Sequence, residues 1–382
     1  MKCEAYYLGD VCTFIDYRGK TPPKTTKGIP LVTAKIVKNG MIQEPQEFIE
    51  ENYYDEWMRR GIPQKGSVVF TTEAPLGEVA QIKTDDKFAF AQRIIVLEPN
   101  TQLLNADYLF YALQDRTLKS RIEARATGTT VIGIKASELK KVEIELPSLQ
   151  QQTGIADILS SLDDKIELNN KINENLEQQA TALFNNFYDQ AETEISFTDV
   201  IQILGGGTPK TGESGYWGGK IPFFTPKDVG SPYTLNTEKT ITEAGLARCN
   251  SRLYSINTVF VTARGTVGKV GMAGVPMAMN QSCYALVGKG IHQLLVYCYT
   301  LKVIDRLRHK ASGAVFDAVT TKDFESEHIM RLPGSIEKVF LRAAEPMYQA
   351  ILINSIENQK LAGLRDALLP KLISGEIEVS GI

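Results

Sequence analysis

The sequence has few of the residues that most metal and redox sites need. Its 382 residues include three histidines and five cysteines. The cysteines are odd in number and none has Cys-x-x-Cys spacing, so we expect neither a disulfide framework nor a zinc site. His292, His309 and His328 lack metal-ligand spacing, and we interpret each as a surface or packing residue. The sequence predicts no bound metal and no cofactor.

Long hydrophobic runs are also missing. No stretch reaches the roughly 18 apolar residues that a membrane-spanning helix needs. The first residues, Met1-Lys2-Cys3-Glu4, lack the apolar core of a signal peptide. We therefore expect a cytoplasmic protein with no membrane partner.

Two glycine-rich stretches resemble catalytic loops only superficially. Residues 205–211 (GGGTPKT) lack the Gly-Lys-Ser/Thr ending of a phosphate loop, and in residues 265–269 (GTVGK) the lysine is followed by Val270. The sequence also lacks the Asn/Asp-Pro-Pro-Tyr/Phe tetrapeptide that amino-methyltransferases use, because its one Pro-Pro pair, Pro22-Pro23, follows Thr21. We predict that this chain is not an enzyme.

The sequence does contain an internal repeat at a spacing of about 190 residues. Residues 29–35 (IPLVTAK) return as 221–227 (IPFFTPK), and 69–72 (VFTT) return as 259–262 (VFVT). Further matches in the same order are 77–79 with 268–270, Gln92 with Gln281, 126–128 with 311–313, and Leu-Pro at 146–147 with 332–333. A fixed order of matched segments indicates duplication, and two copies of this length indicate paired domains.

A long segment of helical character follows each copy. In the first, the positions that step by four and three residues, as in a coiled-coil seam, are Leu159, Leu162, Ile166, Asn169, Asn173, Leu176, Ala180, Leu183 and Phe187. The second repeats them at an offset of 185, with Phe340, Ala344, Met347, Ile351, Asn354, Asn358, Leu361, Arg365 and Leu368. The alternative is two amphipathic helices, each packed on its own domain.

An antiparallel pairing of these helices would place Asn169 and Asn173 opposite Asn358 and Asn354. Such a polar layer fixes the register of a coiled coil at some cost in stability. Pro346 interrupts the second pattern, so we expect that helix to begin or bend there.

Each globular half has short strands mixed with helices. Strands are predicted at 67–72, 88–97, 257–262 and 282–287, and helices at 106–124 and 293–311. We predict an α+β fold with two tandem mixed α/β domains, residues 1–147 and 191–333. A long helix at 148–190 separates them, and residues 334–382 form its partner and tail. The acidic excess lies in the helices, since 148–190 carries 2 basic and 7 acidic residues, so each domain can still present a basic face.

Several motifs resemble those of the specificity subunits of type I restriction-modification systems. They are 155–166 (IADILSSLDDKI) followed by Asn169-Asn170, 206–209 (GGTP), 216–222 (YWGGKIP), 264–268 (RGTVG) and 364–377 (LRDALLPKLISGEI). The resemblance covers nearly the whole chain. The first domain departs from it, with 18–23 (RGKTPP) in place of the Gly-Gly-Thr-Pro and Tyr-Trp-Gly motifs.

The resemblance implies two target recognition domains, each reading half of a split, asymmetric DNA sequence. It also implies partners, namely double-stranded DNA, two modification subunits that methylate adenine with S-adenosylmethionine, and restriction subunits. The paired helices would set the spacer between the half-sites and dock these subunits.

Candidate DNA-binding residues follow from the chemistry of the contacts. Phosphates are bound by lysine, arginine and hydroxyl groups, and base edges by forked donors and acceptors. The candidates are Lys20, Lys24, Thr25, Lys27, Lys35, Thr208, Lys210, Thr211, Tyr216, Trp217, Lys227, Arg264 and Lys269. Any single lysine among them is also compatible with a solvated surface position, and Tyr216 and Trp217 are compatible with packing beneath the glycine-rich loop.

Two other functions remain open from the residues alone. A self-contained adenine methyltransferase would bind S-adenosylmethionine without a partner. A coiled-coil adaptor that binds only proteins would not shift duplex DNA in a gel.

Overall fold

A computed structural model describes residues 2–230, 232–310 and 318–379. The chain divides into two compact units. Unit 1 comprises Met1–Lys165 and Leu361–Ile382, and unit 2 comprises Ile166–Lys360. Among the described residues, no helix is both long and apolar enough to cross a membrane.

Unit 1 contains the first copy of the repeat. Its strands are β1 (Glu4–Tyr7), β2 (Cys12–Asp16), β3 (Ile29–Val32), β4 (Val37–Lys38), β5 (Met41–Ile42), β6 (Phe48–Ile49), β7 (Val68–Thr72), β8 (Leu76–Gln81), β9 (Ala89–Phe90), β10 (Ile94–Pro99) and β11 (Glu143–Leu146). Its helices are α1 (Leu8–Val11), α2 (Tyr54–Trp57), α3 (Ala106–Ala112), α4 (Arg116–Glu123), α5 (Ala136–Leu139) and the first part of α6 (Leu149–Asp189).

Unit 2 contains the second copy. Its strands are β12 (Thr193–Ser196), β13 (Ile201–Gly205), β14 (Trp217–Phe224), β15 (Tyr233–Thr234), β16 (Lys239–Ile241), β17 (Val259–Thr262), β18 (Val270–Ala273), β19 (Ala278–Met279), β20 (Cys283–Gly288) and β21 (His328–Arg331). Its helices are α7 (Phe197–Val200), α8 (Glu243–Ala247), α9 (Gln293–Lys310), α10 (Thr321–Glu325), most of α11 (Gly334–Ile373) and the last part of α6.

The order of the strands confirms the duplication. Unit 1 has one sheet in the order β2-β10-β7-β8, a second in the order β6-β3-β9 and a pair β1-β11. Unit 2 has the corresponding orders β13-β20-β17-β18, extended by β15, then β16-β14-β19, and the pair β12-β21. The α+β architecture with two mixed α/β domains is therefore as predicted.

Strand β7 in unit 1 and strand β17 in unit 2 each lie between two apolar cores. Side chains alternate between the faces of a strand, so Val68 and Phe70 pack against α3 while Val69 packs against β3 and β9. In unit 2, Val259 and Val261 pack against α9, whereas Phe260 lies in the core beneath Phe224. Because both faces of these strands are buried, 68–70 (VVF) and 259–261 (VFV) are apolar without alternating with polar residues.

One part of the predicted repeat alignment is wrong by a residue. The Thr71 hydroxyl accepts a hydrogen bond from the Glu78 N–H at 2.9 Å, and the Thr262 hydroxyl accepts one from the Lys269 N–H at 2.9 Å. Thr71 therefore corresponds to Thr262, and 68–71 rather than 69–72 matches 259–262. A shift of one residue exchanges the two faces of a strand. Aligning the shared Val-Phe pair therefore matches residues that lie on opposite faces of the two strands. The 311–313 match lies outside the described residues.

Two predicted elements are split in the structure. Residues 88–97 form β9 and β10, because Arg93 between them has a left-handed backbone with φ of 75°. Residues 106–124 form α3 and α4, because the Asp115 carboxylate accepts the Thr117 N–H at 2.8 Å and caps a new helix. The other predicted strands agree within two residues, and the helix predicted at 293–311 is observed as Gln293–Lys310.

The two long helices pack on each other within each unit. In unit 1, Nη1 of Arg365, a predicted seam position, donates to Asp163 Oδ1 at 2.6 Å, so an ion pair joins the two helices there. In unit 2, Phe184 of α6 and Phe340 of α11 are in edge-to-face contact with ring centroids 5.5 Å apart. These contacts support the predicted pair rather than the alternative of helices packed only on their own domains.

The predicted asparagine layer lies between the helices in unit 2. Asn169 Nδ2 donates to Asn358 Oδ1 at 2.8 Å and to Glu357 Oε2 at 2.7 Å, and Asn354 Nδ2 donates to Asn173 Oδ1 at 2.9 Å. Asn169 is buried, and its Oδ1 has no hydrogen-bond partner among the described residues. The antiparallel pairing of these residues is therefore confirmed.

Two details of the long helices differ from or narrow the sequence prediction. Helix α11 begins at Gly334 rather than at Pro346, and Phe340 and Ala344 in its first turns are fully buried in the core of unit 2. Toward the end of α6, the buried positions are Phe184 and Tyr188 rather than Leu183 and Phe187, which are only half-buried. There the helix packs against the domain core as well as against its partner, which widens the buried face.

We expect the double substitution Asn169→Leu/Asn358→Leu to raise the free energy of unfolding by about 1 kcal/mol, because it removes a buried carbonyl with no partner together with the amide facing it. Urea denaturation of the two proteins measures this. The single substitution Asn358→Leu should instead lower stability, since Asn169 then loses a partner. A double variant less stable than the single one would refute this account of the layer.

Candidate nucleic-acid interface

Each unit has a pair of parallel strands whose carboxyl ends meet at one edge. In unit 1, β3 pairs with β9 and the Ala91 N–H donates to the Val32 carbonyl at 3.1 Å. In unit 2, β14 pairs with β19 and the Asn280 N–H donates to the Phe224 carbonyl at 3.0 Å. The residue that follows in each unit is a glutamine, so the matched Gln92 and Gln281 lie at equivalent, exposed positions.

Three segments of unit 2 meet around Gln281. They are the glycine-rich loop 205–211, the hairpin 263–269 and the connection 280–282, called here the three-loop surface of unit 2. The Thr208 hydroxyl donates to Gln281 Oε1, and the Arg264 N–H donates to the Ser282 carbonyl at 3.3 Å. The structure therefore brings two predicted residues, Thr208 and Arg264, to one exposed surface.

Trp217 supports the glycine-rich loop from below. Its indole N–H donates to the Lys210 carbonyl at 3.2 Å, its ring packs edge-to-face on Phe223, and Lys239 Nζ lies 5.7 Å from the ring centroid. Trp217 is half-buried, as is Tyr216, whose N–H donates to the Glu213 carbonyl at 3.0 Å. For Trp217, the packing alternative is the one that the contacts favour.

The remaining candidates of unit 2 are exposed. Lys210 and Thr211 lie in the loop that Trp217 supports, and Lys269 ends the hairpin. Lys227 follows β14 and forms an ion pair with Glu238 at 3.6 Å. Because both groups of that pair are more than half exposed, it is too weak to hold Lys227 away from a phosphate.

The corresponding surface of unit 1 is richer in arginine. The three-loop surface of unit 1 comprises residues 17–20, 73–75 and 91–93. Lys20 joins it directly, because its carbonyl accepts the Gln92 N–H at 3.1 Å. Arg60 lies beside the first segment, and its Nη1 donates to the carbonyls of Asp16 at 2.6 Å and Arg18 at 3.0 Å.

Arg18 is held by an ion pair within this surface. Its Nε and Nη2 donate to the Asp16 carboxylate at 2.8 and 2.6 Å. Burial acts to raise the pKa of the Asp16 carboxyl, but the hydrogen bonds from Arg18 outweigh it and the pKa lies below its usual value. Asp16 therefore stays ionised at neutral pH and fixes the guanidinium of Arg18.

Other candidates of unit 1 lie elsewhere. Lys24 forms an ion pair with Glu47 at 2.7 Å, and the Thr25 hydroxyl donates to the Lys27 carbonyl at 2.8 Å. The Thr25 N–H also pairs with the Phe48 carbonyl of β6, which lies on the side of β3 opposite to β9. Lys35 is exposed in the turn after β3. Among the described residues, no hydrogen bond or ion pair links Lys24, Thr25 or Lys27 to Gln92.

Sequence reasoning missed Arg18, Arg60, Glu73 and Arg93. Arg93 Nε lies 2.9 Å from Glu73 Oε1, with the two side chains 42% and 41% exposed. The matched glutamines were the available signal, since Arg93 follows the first of them. Its partner is 20 residues away in sequence, and only the fold brings the two together.

The exposed side chains of these surfaces suit binding to nucleic acid. In the described part of the chain, no group of histidine, cysteine and acidic residues could hold a metal ion. Buried thiols are unreactive, as at Cys12, where burial raises the pKa to about 12. Exposed lysine, arginine, glutamine and hydroxyl groups on loops are the donors that contact phosphates and base edges.

Comparison with known proteins identifies the family. Residues 2–178 and 192–361 match the family model described as type I restriction modification DNA specificity domain. The chain belongs to this family. The match to two consecutive segments agrees with the duplication seen in the strand order.

Relatives over nearly the full length bear the same description. The type I restriction enzyme MjaIX specificity subunit of Methanocaldococcus jannaschii is 27% identical, over 94% of this chain and 90% of its own length. The HindI specificity subunit of Haemophilus influenzae is 23% identical, over 82% and 87%. The crystal structure of a type I system S subunit from M. genitalium has the same fold, with a TM-score of 0.59 over 100% of this chain and 97% of that one at 17% identity. This chain is accordingly a non-catalytic DNA-recognition subunit.

Proposed function

We propose that the chain reads a bipartite, asymmetric DNA site, with one half-site contacted by each three-loop surface. The observation that carries this proposal is the repetition of one loop constellation in both units, with different side chains. In unit 1 it presents Lys20, Gln92 and Arg93, and in unit 2 it presents Thr208, Gln281 and Arg264. A shared scaffold with different donors suits two different base sequences.

The proposal keeps residues 1–147 and 191–333 as recognition domains and 148–190 and 334–382 as helical segments. We infer that the helical segments set the spacer and dock two modification subunits, which supply the S-adenosylmethionine chemistry, and the restriction subunits. Each long helix passes from one unit into the other. A cytoplasmic location, where genomic DNA is accessible, belongs to the same proposal.

We assign the exposed lysines that have no ion pair to phosphate contacts, three of them on the three-loop surfaces and Lys35 in the turn after β3. Lys20 and Lys35 in unit 1 and Lys210 and Lys269 in unit 2 are exposed and have no ion pair with a described residue. A lysine side chain acts as a mobile point charge, which suits backbone contacts. The other predicted residues remain candidate DNA contacts without an assigned role, namely Lys24, Thr25, Lys27, Thr211 and Lys227.

The phosphate assignment predicts a change in salt dependence. For the complex with modification subunits, Lys210→Ala/Lys269→Ala should lower the slope of log affinity against log salt by about two, because each lysine releases roughly one counterion on binding. Fluorescence anisotropy with the target duplex across salt concentrations measures the slope. The matched control is Lys289→Ala/Lys322→Ala, exposed lysines of the same unit that lie outside the three-loop surface and the long helices. Equal slopes for both double variants would show that the lysine patch is misplaced.

A further inference from the structure

The two units place opposite charges at the same position of the three-loop surface. Glu73 follows β7 and forms an isolated backbone β-bridge with Gly133. Arg264 occupies the matching place in unit 2 and forms a backbone β-bridge with Ala318. The matching connection carries Arg93 in unit 1 and Ser282 in unit 2. Their carbonyls make the same hydrogen bond, from the Thr72 N–H and the Ala263 N–H, each at 2.8 Å.

The Glu73–Arg93 pair leaves part of the guanidinium available. The carboxylate lies 2.9 Å from Nε of Arg93. No hydrogen bond joins the two terminal nitrogens to any described residue, so they form an unoccupied fork of donors. A fork of this kind matches the O6 and N7 acceptors that guanine presents in the major groove.

The backbone at Arg93 gives independent support. Its φ of 75° lies in the left-handed region, which costs a residue other than glycine about 1 kcal/mol or more and is enriched at functional sites. This conformation directly follows Gln92, whose N–H is held by the Lys20 carbonyl. The segment is therefore fixed in a conformation that presents two adjacent polar side chains.

The surroundings favour a polyanion. Arg18, Lys20, Arg60 and Arg93 lie on or beside the same surface and outnumber the carboxylates of Asp16 and Glu73 there. Lysine side chains would attract a phosphate as well as an arginine does, so charge alone does not distinguish a phosphate contact from a base contact. The Glu73 carboxylate lies on the Nε side of the Arg93 guanidinium, so the two terminal nitrogens are left to face a base edge.

We propose that Arg93 is a specificity-determining residue that reads guanine in the half-site bound by unit 1, with Glu73 as the positioning residue. This inference rests on the proposed function, since it needs unit 1 to contact DNA. Unit 2 reads its half-site with Arg264, which projects from the hairpin rather than from the connection. The first half-site therefore contains at least one G·C pair whose replacement is sensed through Arg93.

The test uses the full chain in complex with its modification subunits and the target duplex identified from methylated genomic DNA. Each base pair of both half-sites is replaced in turn, and affinities are compared for the parent complex and for Arg93→Asn. Asparagine tolerates the left-handed backbone. We expect the variant to lose about tenfold to a hundredfold discrimination at one G·C pair of one half-site, with the other half-site unchanged.

Two further variants sharpen the result. Glu73→Gln should weaken discrimination at the same base pair while affinity for unrelated duplex does not fall, because a negative charge is removed from the surface; a merely structural role would lower both. The matched control is Lys65→Asn. Lys65 is an exposed cation that precedes β7, whereas Glu73 follows it. This variant should change discrimination at no base pair. Arg264→Asn should affect only the other half-site.

The outcomes separate this inference from the proposed function. A parent complex that prefers no two-part sequence would remove both. A parent complex with a two-part site, but with full discrimination retained at every position in Arg93→Asn, would remove the guanine contact alone. A first half-site that contains no G·C pair would also rule out the guanine contact alone.

Discussion

A complex whose specificity subunit carries one extra heptad in each long helix is expected to methylate the same two half-sites with about three more base pairs between them. Seven residues add about 10 Å of helix at 1.5 Å per residue, and successive base pairs are about 3.4 Å apart. The insertions belong between Asn169 and Asn173 in α6 and between Asn354 and Asn358 in α11. These sites face each other in the antiparallel pair.

A full heptad is chosen because it preserves the seam between the helices. At the original spacing, affinity should fall toward that for unrelated DNA, a loss of about a thousandfold or more. Sequencing of N6-methyladenine in cells that express the variant measures the new spacing. The control carries the heptad in α6 alone, which offsets the asparagine layer and should abolish ordered pairing. An unchanged methylated sequence in the double insertion would contradict the role of the helices in setting the spacer.

The substitution Phe340→Ala is expected to lower the free energy of unfolding by about 3–5 kcal/mol. Phe340 is fully buried in the core of unit 2 and contacts Phe184 with ring centroids 5.5 Å apart. Phe184 in turn packs edge-to-face on Tyr299 of α9 at 5.5 Å. Truncation would leave a cavity where both long helices meet the domain, and a packed interior fills such a cavity only in part.

Urea denaturation of the chain gives the size of this effect. Val339→Ala is the matched control, since Val339 is the preceding residue of the same helix and is 53% exposed. It should change stability by no more than about 0.5 kcal/mol. Equal effects of the two substitutions would mean that the long helix does not depend on this aromatic cluster.

Periodic and repeated features could be predicted from the sequence. The asparagines recur at a constant offset because the helices are duplicated, and the antiparallel pairing of the helices then places Asn169 opposite Asn358 and Asn173 opposite Asn354. The same duplication gives the two domains the same order of strands, but that order itself was not predicted. Local patterns failed where a single residue changes the backbone, as at Arg93, which lies between two strands, and at Asp115, which caps a second helix.

The details of the interface were less accessible because they depend on contacts between distant loops. Thr208 and Gln281 were both noted in the sequence, but their hydrogen bond spans 73 residues. Glu73 and Arg93 carried no motif, and their pairing depends on the register of β7 against β10. Lysine-rich stretches directed attention to Lys24 and Lys27, which lie beside β6, whereas the arginines gather around Gln92.

The most direct test of the central claim is a map of N6-methyladenine in the host genome with and without this gene. The account predicts one asymmetric sequence in two specified parts, separated by a fixed number of unspecified base pairs, that loses its methylation when the gene is removed. Methylation that persists without the gene, or that depends on the gene but marks one continuous sequence, would contradict it.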